Sequence, residues 1–202
     1  MRQPKYRRAL PEERRVDLVE ATLRCLARDG HAGVSVRRIA AEAGVSAGLV
    51  NHHFDGIEAL VAAAYEKISG DVTNRVLTRV EPVEGHRARL SAFIAASFSS
   101  DMLDPALLRV WVVFWSLLPH VPVLQEIQKR TWVDYRRTLE KELAGCPGGD
   151  EIDVEAVALG LAALMDGLWL QWGLDPGCYA PATGIRLAER FVDDALRAAG
   201  SA

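Results

Sequence analysis

The chain has 202 residues, half of them hydrophobic and a quarter charged, which suits one large domain or a small module fused to a larger one and does not suit a disordered chain. The net charge is only −3, yet residues 1–54 hold ten Lys/Arg against six Asp/Glu, so a basic N-terminal quarter (+4) precedes an acidic body (−7). Three scattered cysteines (Cys25, Cys146, Cys178) predict reduced thiols in a cytoplasmic protein; neither an apolar leader nor an uninterrupted apolar run of about 18 residues is present, so neither export nor a membrane span is expected.

Helix signals follow one another along the whole chain. Residues 11–29 place Val16, Val19, Leu23 and Leu26 at spacings of three and four, with Pro11 in the first turn and Gly30 and Gly33 as stops. Ser35 is an N-cap for a short helix bearing Val36, Ile39, Ala40 and Ala43; Gly44 ends it, and Ser46 caps a second short helix running to about His53. A longer helix is expected from about Ile57 to Val80. Further helices follow over roughly 84–100, 104–118, 121–144, 152–174 and 181–199, broken at Pro105, Pro119, Pro122, the run Gly145-Cys146-Pro147-Gly148-Gly149, and Asp175-Pro176-Gly177. The expected class is all-α with about nine helices: an N-terminal three-helix module over 1–56, then a helical body over 57–202.

Ser35 to Phe54 carries the strongest chemistry. Two short helices joined by a tight glycine turn are what a helix-turn-helix requires, because Gly44 takes a left-handed backbone at low cost and Ser46 starts the next helix at once. Steps of about 100° put Ala47, Val50 and Phe54 on one side of the second helix, Gly48 and His52 on the other, and Asn51 and His53 at the edges. One face is thereby locked to a core and the other freed for a major groove. Asn51 suits an adenine edge, His52 a purine N7 or a phosphate, and Gly48 allows close backbone approach. Ser35 and Ser46 lie at helix N-termini that attract phosphate, and Arg37 and Arg38 reach outward. The expected DNA-reading set is Ser35, Arg37, Arg38, Ser46, Ala47, Gly48, Asn51, His52 and His53, helped by a basic arm of Arg2, Lys5, Arg7 and Arg8. Serine-capped short helices also occur in bundles that bind nothing, so a non-DNA-binding interaction protein is the distant alternative.

The acidic body is rich in Trp. Leu108, Trp111, Trp115 and Leu118 form one helical stripe with Phe114 beside it. Asp166, Trp169 and Gly173 form another with Trp172 nearby, and Trp132 and Tyr135 lie between the two in sequence. Aromatic faces with a carboxylate suit a cationic ligand, above all a quaternary ammonium that cannot hydrogen-bond. The candidate effector set is Trp111, Phe114, Trp115, Trp132, Asp166 and Trp169. The same stripes also read as core or dimer interface, the commoner fate of such patterns, and Gly160 and Gly167 favour close helix approach. No H-E-x-x-H, G-x-S-x-G or G-x-x-x-x-G-K-[ST] occurs, so neither catalysis nor a cofactor or metal is expected.

The segment V-S-V-R-R-I-A-A-E-A-G-V-S-A-G with its H-H-F close resembles the DNA-binding domain of the TetR family over about residues 11–60. The stretches L-L-R-V-W-V-V-F-W-S and L-A-A-L-M-D-G-L-W-L are similar to the BetI-like, choline-responsive subgroup. The resemblance implies a homodimeric repressor joined through its C-terminal helices (about 152–174 and 181–199). It would bind a palindromic double-stranded operator and be modulated by a small molecule, with choline or another quaternary ammonium as candidate. An efflux or catabolic regulator with an apolar effector is the alternative. Two positions depart from the family: Asn51 stands where Tyr is frequent, and Ile57 where a phosphate-binding Lys commonly opens the fourth helix.

Overall fold

The computed structural model describes residues 11–199, which form nine α-helices, two short 3-10 turns and no strand. The basic arm expected at Arg2, Lys5, Arg7 and Arg8 lies outside the described residues. The helices are α1 (Pro11–Asp29), α2 (Val36–Glu42), α3 (Ala47–His53), α4 (Gly56–Val80), α5 (His86–Ser97), α6 (Pro105–Leu117), α7 (Pro122–Ala144), α8 (Val154–Leu174) and α9 (Pro181–Ala199). The expected boundaries hold within about two residues in most places, because the punctuation is local chemistry. Ser35 Oγ accepts from the Arg38 N–H and Ser46 Oγ from the Leu49 N–H, while Asp104 and Asp153 cap α6 and α8. Gly44 turns between α2 and α3 at φ +65, the left-handed region that a side chain would strain.

Two cores share the long helix α4, about 37 Å from end to end at 1.5 Å per residue. The first gathers Leu18 and Leu26 of α1, Ile39 of α2, Val50 of α3 and Phe54, together with Leu60 and Tyr65 of α4 and Val110 and Phe114 of α6. The second gathers Val76 and Val80 of α4 with Phe93, Leu108, Leu139, Leu161, Met165, Trp169 and Val192. The first core therefore reaches beyond residue 56 and takes α6 as one of its walls. Arg109 of α6 strengthens that seam by donating to the Ala27 carbonyl of α1 at 2.9 Å. On the far side, the carboxylate of Glu142 is buried between His86 Nδ1 and Arg89 Nε, both at 2.9 Å. Arg87 joins α5 to Glu189 and Asp193 of α9. Burying such a carboxylate is tolerable because two partners saturate it.

Helix α8 carries only Glu155 and Asp166 as charges, and by length and composition it is the described helix that could cross a membrane. The count of uninterrupted apolar residues does not foresee this. Leu159, Ala163, Gly167 and Leu174 form an exposed apolar stripe along it, and Leu187 of α9 is exposed as well. The two glycines of α8 differ. A Cβ on Gly160 would stand 2.7 Å from Phe191 Cζ, so this glycine serves packing of α9 within the chain, whereas Gly167 has open space. Gly160→Val is expected to lower stability by about 1–3 kcal/mol, the usual range for overpacking. Gly167→Ala should leave the protomer's stability unchanged or slightly raised. Urea unfolding midpoints of the two variants check the difference.

Candidate nucleic-acid interface and ligand cavity

The serine caps fix where α2 and α3 start, and apolar side chains fix how α3 sits. Val50 and Phe54 are buried in the first core, while Gly48, Asn51 and His52 are exposed and His53 is half-buried. Ala47, expected on the core side, is exposed, because it opens the helix before the chain closes on α1. The remaining candidates surround this face. Ser46 and Arg37 are exposed and Ser35 is half-buried, with both serine hydroxyls occupied as caps. Arg38 is exposed but shares Asp29 at 3.4 Å, leaving Arg37 as the neighbouring guanidinium with no such tie among the described residues.

Side chains absent from the sequence-based set hold the face in place. The Arg15 guanidinium lies 4.2 Å from the centre of the Phe54 ring and donates to the His53 carbonyl at 3.0 Å, pinning the end of α3 to α1. Arg28 binds Asp29 and Glu42, and Arg24 also reaches Glu42 at 2.8 Å, so α1 and α2 are cross-tied. These hydrogen bonds, Arg28's first, hold the Asp29 and Glu42 carboxyls below the usual range. Nothing in residue spacing announces these ties, since each partner is distant or lies in an ordinary charged face.

The second feature is a cavity of about 120 Å³ walled by α4, α5, α6, α7 and α8. It is comparable in size to an engineered cavity of roughly 150 Å³ that takes benzene. Trp111, Trp115, Trp132 and Trp169 all line it, and so does Asp166. Phe114 does not: it is fully buried in the first core with its ring centre 4.7 Å from that of Tyr65. Tyr135 joins the lining, stacked on Trp132 at 5.7 Å and 17°. Ser69, Thr73, Ser97, Gln128 and Thr131 complete the polar part of the wall, and residue spacing did not single them out.

The wall is partly set and partly unsatisfied. Trp169 Nε1 donates to the Ser97 carbonyl at 2.8 Å, which fixes its indole across α8 and α5. Trp111 Nε1 and Ser69 Oγ, both buried, have no hydrogen-bond partner; Ser69 lies near the Tyr65 phenol without a bond of acceptable geometry. Burial raises the Asp166 carboxyl from its ordinary 3.8 to about 6, and no cation pairs with it among the described residues. Burial likewise pushes the Tyr65 phenol up to about 12, opposed by the nearby Ser69 hydroxyl, and drives Tyr135 upward, so both remain neutral. A small, partly open space thus presents several indole faces, one carboxylate without a counter-charge among the described residues, and two donors without a partner. Indole faces attract organic cations, and an unpaired buried donor favours a hydrogen-bond acceptor. Among the described residues no group of three His, Cys, Asp or Glu could hold a metal.

Comparison with known proteins matches two segments of the chain. Residues 18–64 match the family described as bacterial regulatory proteins, tetR family, and residues 86–197 match the BetI-type transcriptional repressor C-terminal family. The HTH-type transcriptional regulator BetI of Vibrio vulnificus (strain YJ016) is 33% identical over 171 residues, covering 83% of this chain and 84% of the relative. Among solved structures, a transcriptional regulator from Pseudomonas aeruginosa PAO1 is 43% identical with a TM-score of 0.87, covering 94% of this chain and 93% of that one. A regulator from Saccharomonospora viridis, solved in complex with choline, superposes with a TM-score of 0.79 at 20% identity, covering 90% and 96%.

Proposed function

Because this chain belongs to the TetR family of DNA-binding transcriptional regulators and has a BetI-type repressor C-terminal domain, we propose that it is an operator-binding homodimer whose grip on DNA is altered by an organic cation, choline or a close quaternary ammonium, held in the tryptophan cavity. The observation that carries this reading is Asp166: a largely enclosed carboxylate among four indoles, with no cation paired to it among the described residues. The choline complex of the S. viridis regulator supports the same ligand class. We assign operator reading to residues 1–56, with Asn51 and His52 at base edges and Ser35, Arg37, Arg38, Ser46, Ala47, Gly48 and His53 around them. Effector binding and dimerisation fall to 57–202, and the site of action is the cytoplasm. The apolar stripe of α8, with Leu187 of α9, is the surface that a second copy would cover.

Contacts suggest how occupancy reaches DNA. Helix α6 bears Trp111 and Trp115 on the cavity side, while Arg109, Val110 and Phe114 hold the first core. Tyr65 bridges the two: its ring meets Trp111 edge-on at 5.7 Å, and its hydroxyl donates to Gln128 Oε1 in the cavity wall. A cation that moves Trp111 or Gln128 therefore shifts α6 against α1, and with it the spacing of two recognition helices. Tyr65→Phe is expected to leave cation affinity and operator affinity separately near normal but to shrink their coupling, read as the ratio of operator affinities with and without cation.

Calorimetry and melting of the purified protein with choline test the effector. A hundredfold excess over Kd adds about 2.7 kcal/mol to stability, which at about 2–4 °C per kcal/mol gives several degrees in Tm. No shift with choline, together with a shift from an uncharged apolar compound, overturns the cation reading in favour of an efflux or catabolic regulator.

A further inference from the structure

The tryptophan cavity is not closed on the α4–α7 side. A second space of about 280 Å³ opens there, and Ser69, Thr73, Val76, Thr131 and Tyr135 line both spaces. Resting on the effector reading above, we propose that this groove is a second subsite: the effector is longer than choline, with its cationic head among the indoles and an uncharged, hydroxylated tail lying between α4 and α7.

The polar groups specify the tail. The Ser69 side chain is buried at 4% exposure and stands where the two spaces join; its Oγ lies near the Tyr65 phenol but has no hydrogen-bond partner of ordinary geometry. A buried hydroxyl without a partner costs free energy that a ligand's oxygen would recover. Thr73 and Asn74 follow it along α4, both exposed, and among the described residues neither side chain is hydrogen-bonded. Across the groove, Thr131 and Thr138 already donate to carbonyls of their own helix, leaving oxygen lone pairs to accept from a hydroxyl. The rim is charge-balanced: Glu66 is paired with Arg130 and Asp134 with Arg137. A neutral tail meets no uncompensated charge there. A carboxylate tail would bring a charge with no free counter-charge onto the path to Asp166, and a long alkyl tail would leave Ser69 unpaired and displace water from Thr73 and Asn74 without replacing its hydrogen bonds.

Gly70 isolates the groove for a test. It lines the groove and not the cavity, it is exposed, and a Cβ built on it meets nothing within 4 Å. Gly70→Met therefore fills the groove while improving helix propensity. The experiment is calorimetric titration of the full-length protein with choline, hydroxyhexyl-trimethylammonium, hexyl-trimethylammonium and carboxypentyl-trimethylammonium, for wild type and Gly70→Met. In wild type the hydroxylated compound should bind about tenfold more tightly than choline and than the two other long cations. In Gly70→Met that gain should vanish with choline affinity unchanged. If choline binds but the hydroxylated tail adds nothing, or if the gain survives Gly70→Met, the groove is an entrance only and the second subsite is wrong. If no quaternary ammonium binds at all, the cation reading itself fails, and the subsite falls with it.

Discussion

Replacing Asp166 by Asn is expected to abolish the response to a quaternary ammonium and, at the same time, to make the ligand-free protein more stable. Burial raises this carboxyl from 3.8 to about 6, so above that pH the protein holds a charge that its surroundings disfavour. Because the folded pKa exceeds the unfolded one, the folded state binds the extra proton between about pH 4 and 6, and stability from this group falls as pH rises through that window. Near neutral pH the accumulated cost approaches 3 kcal/mol, at about 1.4 kcal/mol per pKa unit. Asp166→Asn keeps the shape and removes the charge, so its Tm at neutral pH should exceed wild type by several degrees, the difference shrinking toward pH 4. Cation binding has the opposite sign. A quaternary ammonium favours the ionised carboxylate, so wild-type affinity should rise from pH 5 to about pH 7 and then level off, and the Asn variant should be flat. Melting and titration across pH on both proteins check the pair of effects. A variant less stable than wild type at neutral pH would mean that Asp166 already has a structural partner.

The second large effect belongs to α3. Asn51 and His52 are exposed beside buried Val50 and Phe54, so the double change Asn51→Ala, His52→Ala removes groups that face outward and disturbs no core. Each good base contact is worth about 1–3 kcal/mol of discrimination, and a dimer uses each residue twice. Preference for the operator over scrambled duplex should therefore collapse while the oligomeric state, measured by sedimentation, stays the same. Residual binding should remain steeply salt-dependent, because phosphate contacts carry it. Loss of the dimer instead would show that the outward face of α3 had been misassigned.

The two halves of the molecule differ in how far the sequence discloses them. The DNA-reading unit is legible because its determinants are local: Ser35, Gly44 and Ser46 set caps and turn within a dozen residues, and α3 alternates buried and exposed positions at helical period. Its supports are not legible. Arg15 lies 38 residues before the His53 carbonyl that it holds, and it reads in sequence as one more charge on α1. In the body, the Trp residues are conspicuous by type, and all four named for the effector meet in one cavity. Phe114 illustrates the limit. It sits within one turn of Trp111 and adjoins Trp115, yet its side of α6 faces Tyr65 and the first core. Ser69, Thr73 and Gln128 are single small polar residues on long helices, and only tertiary assembly brings them opposite the indoles. Gly160 shows the same dependence on context, since its close approach is to Phe191 of its own chain.

The most direct test of the central claim, that a cation seated against Asp166 controls the grip of α3 on DNA, is fluorescence anisotropy of a labelled operator fragment from the gene's own upstream region. Choline or the hydroxylated long cation is titrated into the preformed complex near neutral pH, with wild type and Asp166→Asn side by side. Both proteins should bind the fragment with the same affinity in the absence of cation. The cation should then change the wild-type anisotropy in a saturable way and leave the Asn complex untouched. An equal response in both proteins, or none in wild type while the cation demonstrably binds, would contradict the account.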